Sequence, residues 1–149
     1  MYKRQTAVPR LAHRRELRLL QVLLGLAVLA SIVHYVDNFL NYADYPEPTS
    51  GPAPSRTVVG VSWFLFTAFG AAGLVLFARG RIAAAAACLA VYSISGLIGV
   101  GHYTVPGAFD MPWWRQAHVV ADFSSGVAIL AFVVWAVRRE RAQPMAVSR

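Results

Sequence analysis

The fold of this chain is decided by TVVGVSWFLFTAFGAAGLVLFA (residues 57–78) and IAAAAACLAVYSISGLIGVGHY (residues 82–103), two apolar runs separated only by Arg79-Gly80-Arg81. Neither run contains Asp, Glu, Lys or Arg. A helix needs about 20 apolar residues to cross the hydrocarbon core of a bilayer, and each run is long enough. The stretch therefore predicts two membrane-spanning helices joined by a short turn.

The same pattern recurs on both sides of this pair. Residues 19–36 and 123–137 are also free of charged side chains. The 149-residue chain is 57% hydrophobic and only 14% charged, whereas a soluble domain has about 25% charged residues. We therefore predict an all-α fold, an integral membrane four-helix bundle with antiparallel up-down topology that forms a single domain, residues 1–149. The predicted spans are residues 17–40, 57–78, 82–103 and 113–137.

The distribution of basic residues predicts the orientation of these spans. The net charge of +7 would suit a nucleic-acid-binding protein, but twelve of the 14 Lys and Arg residues lie before the first span, between the second and third, or after the fourth. Cytoplasmic segments are the ones enriched in Lys and Arg. We therefore predict a multi-pass cell-membrane protein with a cytoplasmic leader (1–16) and tail (138–149). Its basic ends would contact membrane lipids and not nucleic acid.

The outer loops and interfaces have their own signals. Residues 46–55 contain four prolines, which predicts an irregular loop, and the tail from Pro144 onward is predicted to be disordered. Amphipathic aromatic rings prefer the depth of the lipid headgroups. Aromatic residues predicted to anchor the chain there are Tyr42, Tyr45, Trp63, Tyr103, Trp113 and Trp114 on the outer side and Trp135 on the inner side.

Three histidines and two aspartates are predicted to lie in the outer half of the membrane. Asp37 follows His34 by three residues and Asp122 follows His118 by four, so each pair shares one helix face. His102 comes from the outer end of the third span. Ionisable groups in a bilayer are expensive, so this set is treated as a functional site.

These five side chains suit a transition-metal site. Imidazole and carboxylate groups are ligands of zinc, iron, manganese and copper, and bundle helices project such groups inward to build metal sites. His34, His102 and His118 would be ligands, and Asp122 would be a ligand or a catalytic general base. Asp37 would be a ligand or a hydrogen-bond partner of one, and Asn38 would orient a histidine through its other ring nitrogen.

The two aspartates differ in their expected depth. Asp122 lies about 13 Å along its helix from Trp113, at 1.5 Å per residue, and should be the more buried carboxylate. Asp37 lies near the outer loop, where water could solvate it. The sequence therefore predicts that Asp122→Asn harms ligand binding more than Asp37→Asn does.

The reaction itself is left open by the sequence. The first interpretation is an oxidoreductase or hydrolase that acts on an apolar small molecule, lipid-like or quinone-like, at the outer leaflet. One alternative is a b-type haem protein for electron transfer, with His34–His102 or His34–His118 as axial ligands, although a neighbouring carboxylate disfavours haem. Another is a non-catalytic accessory or small-molecule-binding subunit, in which polar groups only pack helices. A homo-oligomer is compatible with each interpretation.

Overall fold

The computed structural model describes residues 7–46 and 53–142, and within these ranges the chain is helical and contains no β-strand. The all-α prediction is confirmed to this extent. The four long helices are α1 (Ala7–Leu40), α2 (Arg56–Ala78), α3 (Ile82–Leu97) and α4 (Trp113–Ala142). Short 3-10 segments lie at Tyr42–Asp44, Ile98–Thr104 and Ala108–Asp110.

The helices extend beyond the predicted spans at both ends of the chain. α1 begins at Ala7 and α4 continues to Ala142, so parts of the predicted leader and tail are helical. Arg, Glu and Leu are all strong helix formers, so a helix can continue into charged residues beyond its apolar run. The apolar pattern therefore predicts where a span lies but does not predict where its helix ends. The predicted disordered tail and the middle of the proline-rich loop lie outside the described residues.

The third span is not one uniform helix. Its α-helix ends at Leu97, and residues Ile98–Thr104 continue as a 3-10 helix. Gly99 and Gly101 lie in this segment. Glycine disfavours an α-helix, and 3-10 turns are frequent at helix ends. His102 is therefore presented by a tightened segment and not by the regular helix predicted for residues 82–103.

The turn between α2 and α3 is a Schellman motif. The Gly80 N–H donates to Phe77 O and the Arg81 N–H donates to Leu76 O, both at 2.9 Å. Gly80 has a φ of +72°, a left-handed conformation that favours glycine. This turn folds α3 back onto α2.

The helices pack in a ring in which α1 contacts α2 and α4, and α3 contacts α2 and α4. The end of α1 lies beside the start of α4, and an ion pair between Glu16 and Arg139 joins the opposite ends of these two helices. The buried apolar core lies in the half of the molecule nearer that ion pair, and its members include Leu20, Leu24, Phe77, Leu89, Ile129 and Phe132.

The outer surface of the helices is apolar. Four helical stretches are apolar and long enough to cross a membrane: α1 from His13 onward, α2, α3 together with the 3-10 segment Ile98–Thr104, and α4. Large hydrophobic side chains point away from the protein along their length, as at Phe64, which is 68% exposed. A soluble protein rarely exposes apolar patches of this extent.

Candidate functional site

The three histidines meet at the end of the molecule opposite the Glu16–Arg139 pair. His34 comes from the last turns of α1, His102 from the 3-10 segment after α3, and His118 from the second turn of α4. The ring centroid of His34 lies 5.4 Å from that of His102 and 5.4 Å from that of His118. We call these three residues the histidine cluster.

The closest approach in the cluster is between two like atoms. His34 Nδ1 lies 3.3 Å from His118 Nδ1, and both residues are buried. A neutral imidazole has one protonated nitrogen and one with a lone pair. Two facing nitrogens therefore need a proton or a cation between them.

Asp37 is the polar centre of the site. Its Oδ2 atom accepts a hydrogen bond from the Tyr45 hydroxyl at 2.6 Å and from Arg115 Nε at 2.9 Å, while Oδ1 accepts one from Asn41 Nδ2 at 2.7 Å. Both oxygens of Asp37 thus accept hydrogen bonds from protein donors, which the sequence analysis did not predict.

Asp37 also reaches the histidine cluster. Its Oδ2 lies 3.2 Å from His118 Nε2, but the ring nitrogen is not aligned for a hydrogen bond in this rotamer. His118 therefore has His34 on one ring nitrogen and a fixed carboxylate on the other.

Arg115 is a site residue that the sequence analysis missed. Its side chain is buried, and besides Asp37 it donates from Nη1 to the Asp44 carbonyl and from Nη2 to Asp44 Oδ2, both at 3.3 Å. From the sequence alone, Arg115 is one of the two basic residues, with Arg56, that lie outside the predicted cytoplasmic segments. Its position three residues before His118 on the same helix face was the available signal.

Tyr45 is the second missed residue, and its assignment as a headgroup anchor is wrong. It is only 6% exposed, and its ring centroid lies 5.0 Å from that of His102. Burial raises the pKa of the Tyr45 phenol, and its hydrogen bond to Asp37 and the charge of that carboxylate raise the pKa further. The hydroxyl is therefore a permanent hydrogen-bond donor that covers the cluster from the loop side.

Asn38 contacts the remaining histidine. Its Nδ2 atom lies 3.2 Å from His102 Nε2, and the Asn38 side chain is buried. The oxygen and nitrogen of an amide are assigned by the surrounding hydrogen bonds, so the reverse orientation, with the oxygen accepting from His102, fits equally well. In that orientation the other ring nitrogen of His102 keeps a free lone pair.

Asp122 lies apart from the other predicted site residues. It is 2% exposed, against 10% for the side chain of Asp37, so the expected difference in burial is confirmed. Within the described ranges no hydrogen bond or ion pair connects Asp122 to a histidine, and its Oδ2 atom has no hydrogen-bond partner. The structure therefore gathers His34, His102, His118 and Asp37, and leaves Asp122 one helical turn deeper.

The present side-chain positions do not form a complete ligand set. In the part of the chain that the structure describes, no three His, Cys, Asp or Glu side chains converge as ligands of one metal ion. The facing nitrogens of His34 and His118 are the part of the site closest to a metal-ligand arrangement. A third ligand would require a side chain to rotate.

Comparison with known proteins adds no assignment. No protein-family model, curated protein or solved structure matches the chain. Its function is therefore argued from the geometry of the site.

Proposed function

We propose that this chain is a multi-pass protein of the cell membrane, an antiparallel four-helix bundle with both termini in the cytoplasm. Support comes from the four long apolar helices, their exposed hydrophobic side chains and the biased distribution of basic residues. The histidine cluster would then lie in the outer half of the membrane. It would be reached from the outer leaflet or the outer aqueous phase.

We propose further that the cluster binds a transition metal. The observation that carries this is the 3.3 Å separation of His34 Nδ1 and His118 Nδ1. Two nitrogens bound at 2.0–2.1 Å to a tetrahedral zinc ion are about 3.3–3.4 Å apart. The two imidazoles thus already have the spacing of one edge of a zinc coordination tetrahedron.

The neighbourhood of His118 supports the same proposal. Histidines that bind metals usually donate their other ring N–H to a carboxylate or carbonyl oxygen, which fixes the tautomer. Asp37 Oδ2 stands 3.2 Å from His118 Nε2, and Arg115 and Tyr45 hold it there. Asp37 is therefore assigned to orienting His118 and not to binding the metal.

His102 is the third proposed ligand. Its ring lies within reach of His34, and Asn38 can hold one of its nitrogens while the other turns toward the metal. Three imidazoles suit zinc or copper, with iron as an alternative. The fourth position of such a site is open to water or substrate.

The proposed substrate is an apolar small molecule, lipid-like or quinone-like, and the proposed activity is that of an oxidoreductase or hydrolase. Support comes from the apolar wall beside the cluster, where Tyr45, Met111 and Val119 pack together with Tyr103 against them. Such a wall would favour an apolar ligand at an open metal position.

Two alternatives to a metal site are a b-type haem protein and a non-catalytic accessory subunit. The b-type haem alternative needs two histidines on opposite faces of a porphyrin, and the ring centroid of His34 lies only 5.4 Å from those of His102 and His118, which disfavours haem for either pair. The accessory-subunit interpretation is favoured by one observation: Asp37 satisfies its hydrogen bonds with protein donors alone. In that case the polar network holds the helix ends together and binds no metal.

Cobalt titration of the untagged protein in detergent separates these functions. We expect one Co²⁺ per chain, with the intense visible absorption of tetrahedral coordination, displaced by Zn²⁺. His118→Gln should abolish this absorption. His13→Gln is the matched control, because His13 stacks on Phe77 far from the cluster, with centroids 5.3 Å apart. Absence of binding, or binding unchanged in His34→Gln and His118→Gln, would refute the metal site and favour the accessory role.

A further inference from the structure

A second polar site lies deeper in the bundle, around Asp122. This residue lies on α4 where α3 crosses it. Gly96 on α3 and Gly126 on α4 bring the two backbones together, since a Cβ on Gly126 would lie 2.8 Å from Ser93 O. The Asp122 carboxyl is almost fully buried at this crossing, and its Oδ2 atom has no partner.

The groups that face Asp122 do not neutralise it. The phenols of Tyr35 on α1 and Tyr92 on α3 lie within electrostatic reach of the Asp122 carboxyl. The Tyr35 hydroxyl is directed at the Ser95 carbonyl, 3.5 Å away. The nearest histidine on α4 is His118, one turn outward. α2 packs chiefly against α1 and α3, and its Thr67 hydroxyl, which does not titrate, is buried without a partner among the described residues.

Among the residues that the structure describes, no cationic side chain forms an ion pair with Asp122. Arg115, the buried arginine of the outer end, is engaged by Asp37 and Asp44. His34, which also lies on the facing side of α1, has its Nδ1 against His118. An ionised carboxylate buried without a partner costs far more free energy than a neutral polar group in the same position, and such a group neutralises instead.

We propose that Asp122 is a proton-binding site, and that its carboxyl is a neutral acid at neutral pH. A proton suits the site better than a metal cation, because one carboxyl and two phenols supply too few oxygens to replace a hydration shell. The site lies about one helical turn, 5.4 Å along α4, from His118. The Asp122 carboxyl would thus hold a proton inside the bundle, close to the histidine cluster. The inference rests on the membrane-spanning part of the proposed function and not on the metal.

Infrared spectroscopy of the protein in lipid nanodiscs tests this directly. Protonated carboxylic acids absorb at higher frequency than carboxylates and amides, and their band shifts in D₂O. We expect one such band at pH 7 that is missing in Asp122→Asn and retained in Asp110→Asn, whose carboxyl is exposed in an outer loop. Labelling all aspartates with ¹³C at the carboxyl carbon should move the same band in the wild-type protein, which keeps the test valid if Asp122→Asn misfolds.

Three outcomes would overturn the proposal. The first is the absence at pH 7 of any acid band that moves with the aspartate label. The second is a band that survives in folded Asp122→Asn. The third is a band that disappears on addition of Na⁺ at constant pH, which would make Asp122 a cation site. Cobalt titration of the same samples is independent, so failure of metal binding with an intact Asp122 band would count only against the metal site.

Discussion

A single guanidinium, that of Arg115, holds the carboxylate that faces His118. Removing one partner of a buried ion pair leaves the other charge uncompensated and typically costs about 3–5 kcal/mol. We expect Arg115→Gln to lower the free energy of unfolding by roughly that amount. Thermal and denaturant unfolding in detergent, followed by circular dichroism, would measure it.

The other outer arginine supplies the control for Arg115. Arg56 is exposed and lies over the Phe39 ring, 4.3 Å from its centroid, so Arg56→Gln should change stability by about 1 kcal/mol or less. Combining Arg115→Gln with Asp37→Asn should recover part of the loss, because both charges are then gone. Equal effects of Arg115→Gln and Arg56→Gln would contradict the assigned ion pair.

The two aspartates should respond in the opposite order from the one expected from the sequence. Asp37→Asn removes the carboxylate that orients His118, and loss of such a partner typically lowers metal affinity about 10–100-fold. Asp122→Asn keeps the shape of a neutral acid and should leave Co²⁺ affinity within about threefold, a difference of less than 1 kcal/mol. Competitive Zn²⁺ titration of both variants measures this. A larger loss of affinity in Asp122→Asn would return Asp122 to the ligand set.

Sequence reasoning located the histidines and named Asp37 and Asn38 as their candidate partners, but it could not identify the side chains that hold Asp37. His34, His102 and His118 follow from their places at the same ends of alternating spans. The ion pair between Asp37 and Arg115 could not be predicted, because the two residues are far apart in the chain and their contact depends on the side-chain conformations. Tyr45 was missed because an aromatic residue in a loop after a span has the same pattern whether it faces lipid headgroups or folds over the site.

At the level of helices, the crossing of α3 and α4 determines where Asp122 can lie. A Cβ added at Gly96 would collide with the Asp122 backbone carbonyl, whereas one added at Gly25 meets nothing within 4 Å. We expect Gly96→Ala to destabilise the protein by about 1–3 kcal/mol, as overpacking does. Gly25→Ala should stabilise it by about 0.5–1 kcal/mol, because it only improves helix propensity.

Unfolding of these two glycine variants in the same detergent measures the contrast. The infrared band of Asp122 should also move in Gly96→Ala, since the carbonyl next to that carboxyl must shift. A neutral or stabilising effect of Gly96→Ala would show that α3 and α4 do not touch at this level.

The apolar composition of the sequence predicts the positions of the helices but not their ends or their internal geometry. Charge-free runs located the four apolar helical stretches, because the free-energy cost of placing charge in hydrocarbon would keep charged side chains out of any helix that crosses a membrane. They did not identify the ends of α1 and α4, where basic side chains continue a helix. They also could not show that glycines convert the end of the third span into a 3-10 helix, which changes the direction in which His102 is presented.

The whole molecule is polarised between its two ends. One end holds the histidine cluster and the Asp37 network, and the other holds the Glu16–Arg139 pair and the apolar core. The second end is also where the basic residues accumulate along the sequence. This asymmetry is the basis for assigning the histidine cluster to the outer side.

Reporter fusions would test that orientation. Because twelve of the 14 Lys and Arg residues lie before the first predicted span, between the second and third, or after the fourth, we expect reporters at either terminus to be cytoplasmic and a reporter in residues 46–55 to be external. Replacing Arg138, Arg139 and Arg141 by Gln should weaken this preference, while replacing Arg56 should not. An external C-terminal reporter in the unmodified chain would place the cluster on the cytoplasmic side. The metal and proton sites would keep their geometry, but their ligands would then have to come from the cytoplasm or the inner leaflet.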